Sequence, residues 1–167
     1  MRAAQSAQAE AERLVETYSD MILRLSYTYL KNRQDAEDIC QDVLIKLLTG
    51  AEHFTSREHE KAWILRTAAN ACKDLLKSAH RRVTCDLDSC PEQAAPECSD
   101  HSVLEAVQSL PEKYREVIFL HYYMGYSLKE IGAILSLPAA TVGTRLARAR
   151  EQLKTILGGE IYEQQCV

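Results

Sequence analysis

Apolar residues recur every three or four positions through the first half of the chain, which is the spacing of one face of an α-helix. The first run of these positions is Leu14, Tyr18, Met21, Leu25 and Tyr29. The stretch KNRQ interrupts the pattern, and Asp35 is predicted to cap the helix that follows. The pattern therefore predicts two successive amphipathic helices, each with one face buried.

The second and third helices complete this first block. Gly50 is predicted to end the second helix, because glycine commonly follows a helix C-terminus. The inward residues of that helix are predicted to be Ala36, Ile39, Cys40, Val43, Leu44, Leu47 and Leu48. Residues 51–60, AEHFTSREHE, have no apolar period and are predicted to form a loop. The third helix is then expected to bury Ile64, Ala68, Ala71, Cys72, Leu75 and Leu76.

The second half of the chain has the same helical spacing. It opens with Val103, Leu104, Val107 and Leu110. Pro111 suits the first position of the next helix, and the core residues of that helix are predicted to be Val117, Ile118, Leu120 and Tyr122. Ser127 and Glu130 have the spacing of a capping box, which predicts a short helix after them. The last helix places Val142, Leu146, Ala149 and Leu153 on one face, so the pair of helices and the turn between them predict a helix-turn-helix.

Charge is distributed unevenly along the 167 residues, whose formal net charge is -4. Residues 1–83 carry net +1, residues 84–100 carry five acids and no base, and residues 101–157 carry net +2. We therefore expect an all-α protein with two small helical domains, residues 1–83 and 103–167, joined by a flexible acidic linker over residues 84–102. The mildly basic blocks permit local DNA contact, although the total charge argues against a free-standing nucleic-acid binder.

Other features of the sequence exclude several classes of protein. The chain has no apolar run near the ~20 residues that span a bilayer, and its N-terminus has no apolar signal core. We therefore expect a cytoplasmic protein without stable membrane insertion and with reduced thiols. Cys85, Cys90, Cys98 and His101 lack the close cysteine pairs of zinc sites, so we predict no metal or cofactor. The alternative use of these cysteines is redox sensing. The five histidines form no recognisable catalytic arrangement, and we expect no enzyme.

The last helix carries side chains suited to base recognition. If its apolar face is buried, its outward and flanking residues include Thr141, Thr144, Arg145, Arg148 and Arg150. A guanidinium group pairs bidentately with guanine in the major groove, and a threonine methyl group meets the methyl of thymine. Two alternatives are an ordinary solvated basic face and a stand-alone helix-turn-helix regulator. The second alternative leaves the motifs of the first block, DAEDICQDV and AWILRTAAN, without a role.

These motifs resemble a known family. The chain resembles region 4 of a bacterial RNA polymerase sigma factor over LPEKYREVIFLHYYMGYSLKEIGAILSLPAATVGTRLARAREQLK. It resembles region 2.2 over DAEDICQDVLIKLL, and regions 2.3 and 2.4 over AWILRTAANACKDLLKSAHRR. The order of these motifs and the short linker are similar to the extracytoplasmic-function group of sigma factors. The resemblance implies a transcription initiation factor that directs core RNA polymerase to promoters, under the control of an anti-sigma factor.

The resemblance also implies three sets of functional residues. The residues that dock on the clamp coiled coil of the polymerase's largest subunit are expected to be Asp35, Glu37, Asp38, Gln41 and Asp42. The −10 element is expected to contact Phe54, Thr55, Ser56, Arg57, Trp63, Arg66, Asn70, Lys73, Lys77, Arg81 and Arg82. The −35 element is expected to contact Ser127, Lys129, Thr141, Thr144, Arg145, Arg148 and Arg150. The polymerase flap is a further expected partner of the second domain.

Some of these assignments have alternatives, and the chain departs from the family at two positions. The loop that includes Phe54 lies where such factors capture a base extruded from the non-template strand, whereas Trp63 is either a DNA contact or a core residue. Pro138 replaces a common serine or threonine cap, and Gly143 replaces a common basic residue. Glycine costs a helix roughly 0.5–1 kcal/mol. We therefore expect the −35 contact to be weakened.

Overall fold

A computed structural model gives the fold over residues 2–83 and 101–158, with side chains described over residues 5–80 and 103–158. The chain divides into two compact units, and the division falls between Leu76 and Lys77. Every regular element in the described ranges is helical, which confirms the predicted all-α class. The predicted linker over residues 84–102 lies almost wholly outside these ranges, and the boundaries of the two domains stay predictions. None of the described helices is long and apolar enough to cross a membrane.

The first unit contains α1 (Arg2–Leu30), α2 (Arg33–Thr49) and most of α3 (Arg57–Val83), whose last residues lie beyond the division at Leu76. Helix α1 packs along α2, and all five predicted core residues of α1 are buried. The remaining buried apolar residues of this unit are Ile22, Ala36, Ile39, Cys40, Val43, Leu44, Ile64, Leu65, Ala68, Ala69 and Cys72. Two predicted core residues are instead exposed, Leu48 at 42% and Leu75 at 36%. The helical phase is therefore right, but burial stops before the apolar pattern does.

The start of α2 differs from the prediction. Lys31 has a φ of 55°, which turns the chain between the two helices, and Asn32 caps α2. The Asn32 side chain accepts a hydrogen bond from the Asp35 backbone N–H at 3.2 Å. Asparagine and aspartate are similarly good caps, so the sequence offered two candidates and the turn at Lys31 selected the earlier one. Asp35 lies within the first turn of the helix instead.

The start of α3 lies inside the stretch that was predicted to be a loop. The helix begins at Arg57, and the Ser56 Oγ accepts a hydrogen bond from the His59 backbone N–H at 3.1 Å. Glu60, one turn into the helix, is only 7% exposed. The first turn of α3 is polar in sequence, and it is held by this capping bond and by side chains of α1. An apolar period could not reveal it, because the stabilising contacts are hydrogen bonds and ion pairs.

The second unit contains four α-helices, α4 (His101–Ser109), α5 (Glu112–Ile118), α6 (Leu128–Leu135) and α7 (Ala139–Ile156). Helix α5 continues into a π-helical turn over Phe119–Tyr123, and α7 packs against both α5 and α6. The buried apolar residues are Ala106, Leu110, Tyr114, Val117, Ile118, Phe119, Leu120, Ile131, Ile134, Val142, Leu146, Ala149 and Leu153. Tyr122 was predicted to join them, but it is 56% exposed. Tyr122 lies in the π-helical turn at the end of α5, beyond the stretch of buried residues that ends at Leu120.

The helix-turn-helix forms from α6, a tight turn and α7. The predicted capping box is confirmed, because Glu130 N–H donates to Ser127 Oγ at 3.3 Å and Ser127 N–H donates to Glu130 Oε2 at 2.8 Å. Ser136 ends α6 with a φ of 56° in the left-handed region. The backbone then passes so close to α6 that a Cβ on Gly132 would lie 2.6 Å from the Leu137 carbonyl oxygen. Glycine at position 132 is therefore required for the turn.

Candidate nucleic-acid interface

One exposed face of α2 carries the acidic residues that were predicted to dock on the polymerase. Asp38, Gln41 and Asp42 are exposed, while Asp35 and Glu37 are half-buried. Glu37 accepts a hydrogen bond from Arg33 Nε at 2.8 Å, which partly neutralises it. The same helical face continues with two exposed apolar side chains, those of Ile45 at 56% and Leu48 at 42%. The structure therefore presents an acidic stripe that ends in an apolar pair, a combination typical of a protein-binding surface.

An aromatic cluster lies where α3 begins, and it contains two of the predicted −10 residues. The Phe54 ring meets the His59 ring edge-on at a centroid distance of 5.5 Å and the Trp63 ring at 5.7 Å. Thr55 joins this cluster through its backbone N–H, which lies 3.4 Å from His59 Nδ1. Phe54 and Trp63 are both half-buried, so each contributes packing and still offers part of its ring to a ligand. We call Phe54, His59 and Trp63 the aromatic cluster.

Helix α3 presents the predicted basic and polar side chains along one stripe. Arg66, Asn70, Lys73 and Lys77 follow one another at spacings of four, three and four residues, opposite the buried face. Arg66, Asn70 and Lys77 are exposed, as is Arg57 at the start of the helix. Lys73 is half-buried, and its Nζ lies 5.9 Å from the centre of the Tyr29 ring of α1. The predicted Arg81 and Arg82 lie at the end of α3, where side chains are outside the described residues.

A buried carboxylate anchors the first turn of α3 to α1. Glu60 accepts hydrogen bonds from Arg13 Nη2 at 3.0 Å and from the Tyr18 hydroxyl at 2.5 Å. Burial alone would raise the pKa of Glu60, but the bonds from Arg13 and Tyr18 outweigh it, so this pKa lies below its ordinary value. Burial and the Glu60 charge together raise the pKa of Tyr18 to about 12. We call Arg13, Tyr18 and Glu60 the α1–α3 anchor.

The sequence prediction missed both Glu60 and His59. A signal for Glu60 was present, since it lies four residues before Ile64 and eight before Ala68, in phase with the buried face of α3. A charged residue in such a phase needs a buried partner. The role of His59 carried no comparable signal, because its ring contact with Phe54 bridges the loop and the helix.

Helix α7 presents fewer of its predicted residues than the sequence suggested. Thr144 and Arg148 are exposed on the side opposite the buried face, and Thr141 is half-buried. Arg150 is also exposed, but at 100° per residue it lies about 160° around the helix from Arg148. A single approach to DNA cannot place both arginines in the same part of the groove. Ser127 and Lys129 are exposed at the start of α6, and the Ser127 hydroxyl serves the capping box.

Arg145 departs from its predicted outward orientation. Its Nη1 donates to Glu116 Oε1 at 3.0 Å, and its side chain is 25% exposed while that of Glu116 is 1% exposed. Glu116 lies on α5 beside Arg115, which is also buried and donates from Nη1 to the carbonyl oxygens of Gln108 and Leu110, at 3.0 Å each. Arg145 therefore joins α7 to α5 as the partner of a buried carboxylate.

The two cysteines within the described side chains, Cys40 and Cys72, are buried in the first unit. Cys40 and Cys72 are buried free thiols, as predicted for small core residues. Burial raises the pKa of both, and that of Cys72 rises to about 11. Both thiols are therefore protonated at neutral pH, which disfavours nucleophilic chemistry. The predictions for Cys85, Cys90 and Cys98 lie outside the described residues, as does the side chain of His101.

Comparison with known proteins relates each unit to a family. The family model of sigma-70 region 2 matches residues 14–82, and that of sigma-70 region 4 matches residues 100–153. The chain is 31% identical over 159 residues to the ECF RNA polymerase sigma factor SigW of Bacillus subtilis, covering 84% of this chain and 85% of that protein. It is 28% identical over 164 residues to the RNA polymerase sigma factor SigV of the same organism, covering 96% and 98%.

A solved structure shows the same fold. The chain superposes on the sigma factor RpoE of Bartonella quintana, which was solved in complex with the anti-sigma factor NepR, with a TM-score of 0.74. The two are 21% identical, and the superposition covers 88% of this chain and 96% of RpoE.

Proposed function

The chain belongs to the extracytoplasmic-function group of RNA polymerase sigma factors, and we propose that it positions core polymerase on promoters through two separate DNA contacts. In this proposal the chain acts as a transcription initiation factor and not as an enzyme, and it works with the polymerase in the cytoplasm. One observation carries the proposal. Two units that match regions 2 and 4 each expose a helix with basic side chains, α3 in one and α7 in the other.

Docking on core polymerase is assigned to the exposed face of α2. Asp38 and Asp42 supply negative charge one turn apart, and Gln41 lies between them. Ile45 and Leu48 extend this face with apolar surface that can be desolvated on binding. Charge gives such an interface its orientation and its rate of association, while the apolar area contributes affinity. The expected partner is the clamp coiled coil of the largest subunit, with the flap as the partner of the second unit.

The −10 contact is assigned to α3 and the loop before it. The exposed stripe that begins at Arg66 and ends near Lys77 can follow the phosphates of the upstream −10 duplex. The half-buried rings of Phe54 and Trp63 offer a stacking surface for a base that leaves the duplex, since aromatic side chains stack on any base. The end of α3 adds Arg81 and Arg82 near the point where the strands separate.

The −35 contact is assigned to the helix-turn-helix, with a smaller set of residues than the family resemblance implies. Arg148 and Thr144 share the outward face of α7 and are the proposed base readers. Lys129 and Arg150 flank them and are assigned to phosphates. Arg145 is assigned a structural role, because its guanidinium is already paired with Glu116.

Core polymerase resolves the conflict between DNA binding and the net charge of -4. Each unit neutralises few phosphates, so the free chain should bind promoter duplex weakly at physiological salt. When both units are held by one polymerase, the second DNA contact becomes intramolecular and gains effective concentration. Control by an anti-sigma factor is part of the proposal, since such a factor could inhibit the chain by covering the exposed face of α2.

The proposal is tested by transcription with core polymerase and this chain. Sequencing the transcripts identifies the promoter, and templates with the −10 or the −35 element scrambled then measure each contact. The variant Asp38→Lys/Asp42→Lys should lose co-purification with core polymerase and all promoter-directed transcription. Its fold should persist, because exposed charge changes usually alter stability by no more than about 0.5 kcal/mol. Normal co-purification of this variant would reject the α2 assignment, and tight promoter binding by the free chain would reject the proposed function.

A further inference from the structure

The α1–α3 anchor is placed where it can control the geometry of the aromatic cluster. Glu60 lies in the first turn of α3, directly after His59 and three residues before Trp63. Its backbone N–H donates to the Ser56 carbonyl oxygen at 3.1 Å, so the residue also closes the first turn of the helix. The rotation of this turn about the helix axis sets where the His59 and Trp63 rings point. A contact that fixes Glu60 therefore restrains His59 and Trp63, the two rings that Phe54 contacts.

The anchor reaches far from this turn along the chain. Arg13 is 47 residues before Glu60, and it places both terminal nitrogens on the carboxylate, with Nη2 at 3.0 Å and Nη1 at 3.4 Å. Arg13 is itself held by a second carboxylate, because its Nη2 lies 2.7 Å from Oε1 of Glu10 on the same helix. Tyr18 donates from the next turn of α1, so two side chains from one helix bind Glu60 directly. A carboxylate bound from two directions has little freedom to rotate.

We infer that Glu60 is a positioning residue for −10 recognition, which holds the aromatic cluster in the orientation that accepts an extruded base. The inference rests on the proposed function, because it assumes that the cluster meets the −10 element. The physical reason is preorganisation. Extruding a base costs free energy that is recovered only by a pocket already shaped to receive it. A cluster free to rotate would pay an ordering cost at each binding event and would discriminate less sharply between bases.

The test uses the full chain with core polymerase and the promoter identified by transcript sequencing. The variant Glu60→Gln keeps the size of the side chain and removes its charge, and Tyr18→Phe removes one donor. Glu10→Gln is the matched control, since Glu10 also binds Arg13 but is exposed and does not touch Glu60. For each protein, initiation is compared on the native template, on templates with single-base changes in the −10 element, and on a template with a scrambled −35 element. Unfolding followed by Trp63 fluorescence reports whether each variant is folded at the assay temperature.

We expect the variants to change only the ratio between initiation on the native template and initiation on the templates with single-base changes in the −10 element. Glu60→Gln should reduce the preference for the native −10 bases by roughly tenfold, which is the factor that one charge-assisted hydrogen bond is worth. Tyr18→Phe should reduce this preference by a smaller factor, and Glu10→Gln should leave it unchanged. The ratio between intact and scrambled −35 templates, and the affinity for core polymerase, should remain those of the parent protein.

Two outcomes would overturn the inference. If Glu60→Gln kept the full −10 preference, the anchor would not position the cluster, although the proposed function would stand. If the variant lost −10 preference, −35 preference and polymerase affinity together, Glu60 would be a general stability residue. Were Glu60→Gln unfolded at the assay temperature, the −10 ratio of the milder Tyr18→Phe would decide the same question. Failure of the parent protein itself to direct transcription would instead reject the proposed function, and that result is separate from any variant.

Discussion

The two helices that carry the basic faces are each fixed within their own unit by a carboxylate ion pair, but they contribute opposite members of that pair. Helix α3 supplies the acid, since Glu60 accepts from Arg13 of α1. Helix α7 supplies the base, since Arg145 donates to Glu116 of α5. The difference matters for DNA binding. Helix α3 takes its cation from a neighbouring helix, whereas α7 uses one of its own three arginines to hold itself in place.

The position of the charged residue within each helix adds to this contrast. Glu60 lies in the first turn of α3, where the helix dipole favours a negative charge, and Ser56 caps that turn. Helix α7 begins after Pro138 without a side-chain cap, and Arg145 lies two turns inside it. The orientation of α7 thus depends on the tight turn after α6 and on the Glu116 pair. In the proposed function, the −10 helix α3 therefore has more basic side chains available for DNA and is more firmly anchored than the −35 helix α7.

The largest expected effect tests the ion pair between Arg145 and Glu116, which holds α7 against α5. Glu116→Ala should lower the free energy of unfolding of the second unit by about 2–4 kcal/mol, because it removes the partner of Arg145 and leaves a cavity. The only tryptophan, Trp63, reports on the first unit, while far-UV circular dichroism reports on both. In urea, the circular dichroism transition should therefore move to lower denaturant while the Trp63 transition stays in place. Glu151→Ala, an exposed change on α7, is the control. Equal urea midpoints for the two variants would show that the Glu116–Arg145 pair does not stabilise the second unit.

The next effect separates the arginines of α7 by role. Arg148→Ala should weaken initiation by roughly ten- to a hundredfold on a template with an intact −35 element, from the ~1–3 kcal/mol of a bidentate base contact. It should have little effect where that element is scrambled. Arg145→Ala should also weaken initiation on the intact template, because it removes the ion pair that orients α7, and Glu116→Ala should weaken it by a similar factor. The measurement is a two-by-two transcription assay for each variant, and a loss with Arg145→Ala that Glu116→Ala does not reproduce would show that this arginine reads bases after all.

A smaller effect tests the α1–α3 anchor through the pH dependence of the stability that Glu60 contributes. At neutral pH, Glu60→Gln should lower the stability of the first unit by about 1–2 kcal/mol, since a charge-assisted bond is lost and Arg13 remains partly in water. The pKa of Glu60 is lowered in the folded protein, so its contribution is complete above the ordinary carboxyl pKa and declines as the pH falls through the folded value. The urea midpoints of the parent protein and of Glu60→Gln, followed by Trp63 fluorescence, should differ at pH 7 and become equal at acidic pH. A difference that persisted unchanged at low pH would exclude the carboxylate as its source.

The smallest effect concerns glycine, which α7 contains and α3 does not. A Cβ on Gly143 would lie 3.5 Å from Leu128 Cδ1, an ordinary contact. Gly143→Ala should therefore stabilise the second unit by about 0.5–1 kcal/mol through helix propensity. Gly132→Ala is the contrasting variant, since its Cβ would clash with the Leu137 carbonyl oxygen. The midpoint temperature of thermal unfolding should rise for Gly143→Ala and fall for Gly132→Ala. If Gly143→Ala also lowered it, α7 would be packed more tightly around Gly143 than the structure indicates.

Much of the candidate site could be predicted because its positions follow helical periodicity. An apolar stripe that is visible in the sequence also identifies the exposed face opposite it. The exposed faces found in this way include the stripe of α3 from Arg66 to Lys77, and Asp38 and Asp42 of α2. The prediction was less successful where the backbone departs from a regular helix. Tyr122 was predicted to be buried, but it lies in a π-helical turn, to which a period of 3.6 residues does not apply, and it is exposed.

The sequence by itself determined the all-α class, the phase of nearly every helix, the capping box at Ser127 and the resemblance to regions 2 and 4. These features depend on residues within a few positions of each other, so a local pattern contains them. The tertiary structure alone decided which charged residues are buried and what they bind. Glu60 meets Arg13 across 47 positions, and Arg145 meets Glu116 across 29. The energy of a charged side chain depends on its solvation and on its partner, and both are set by how helices pack.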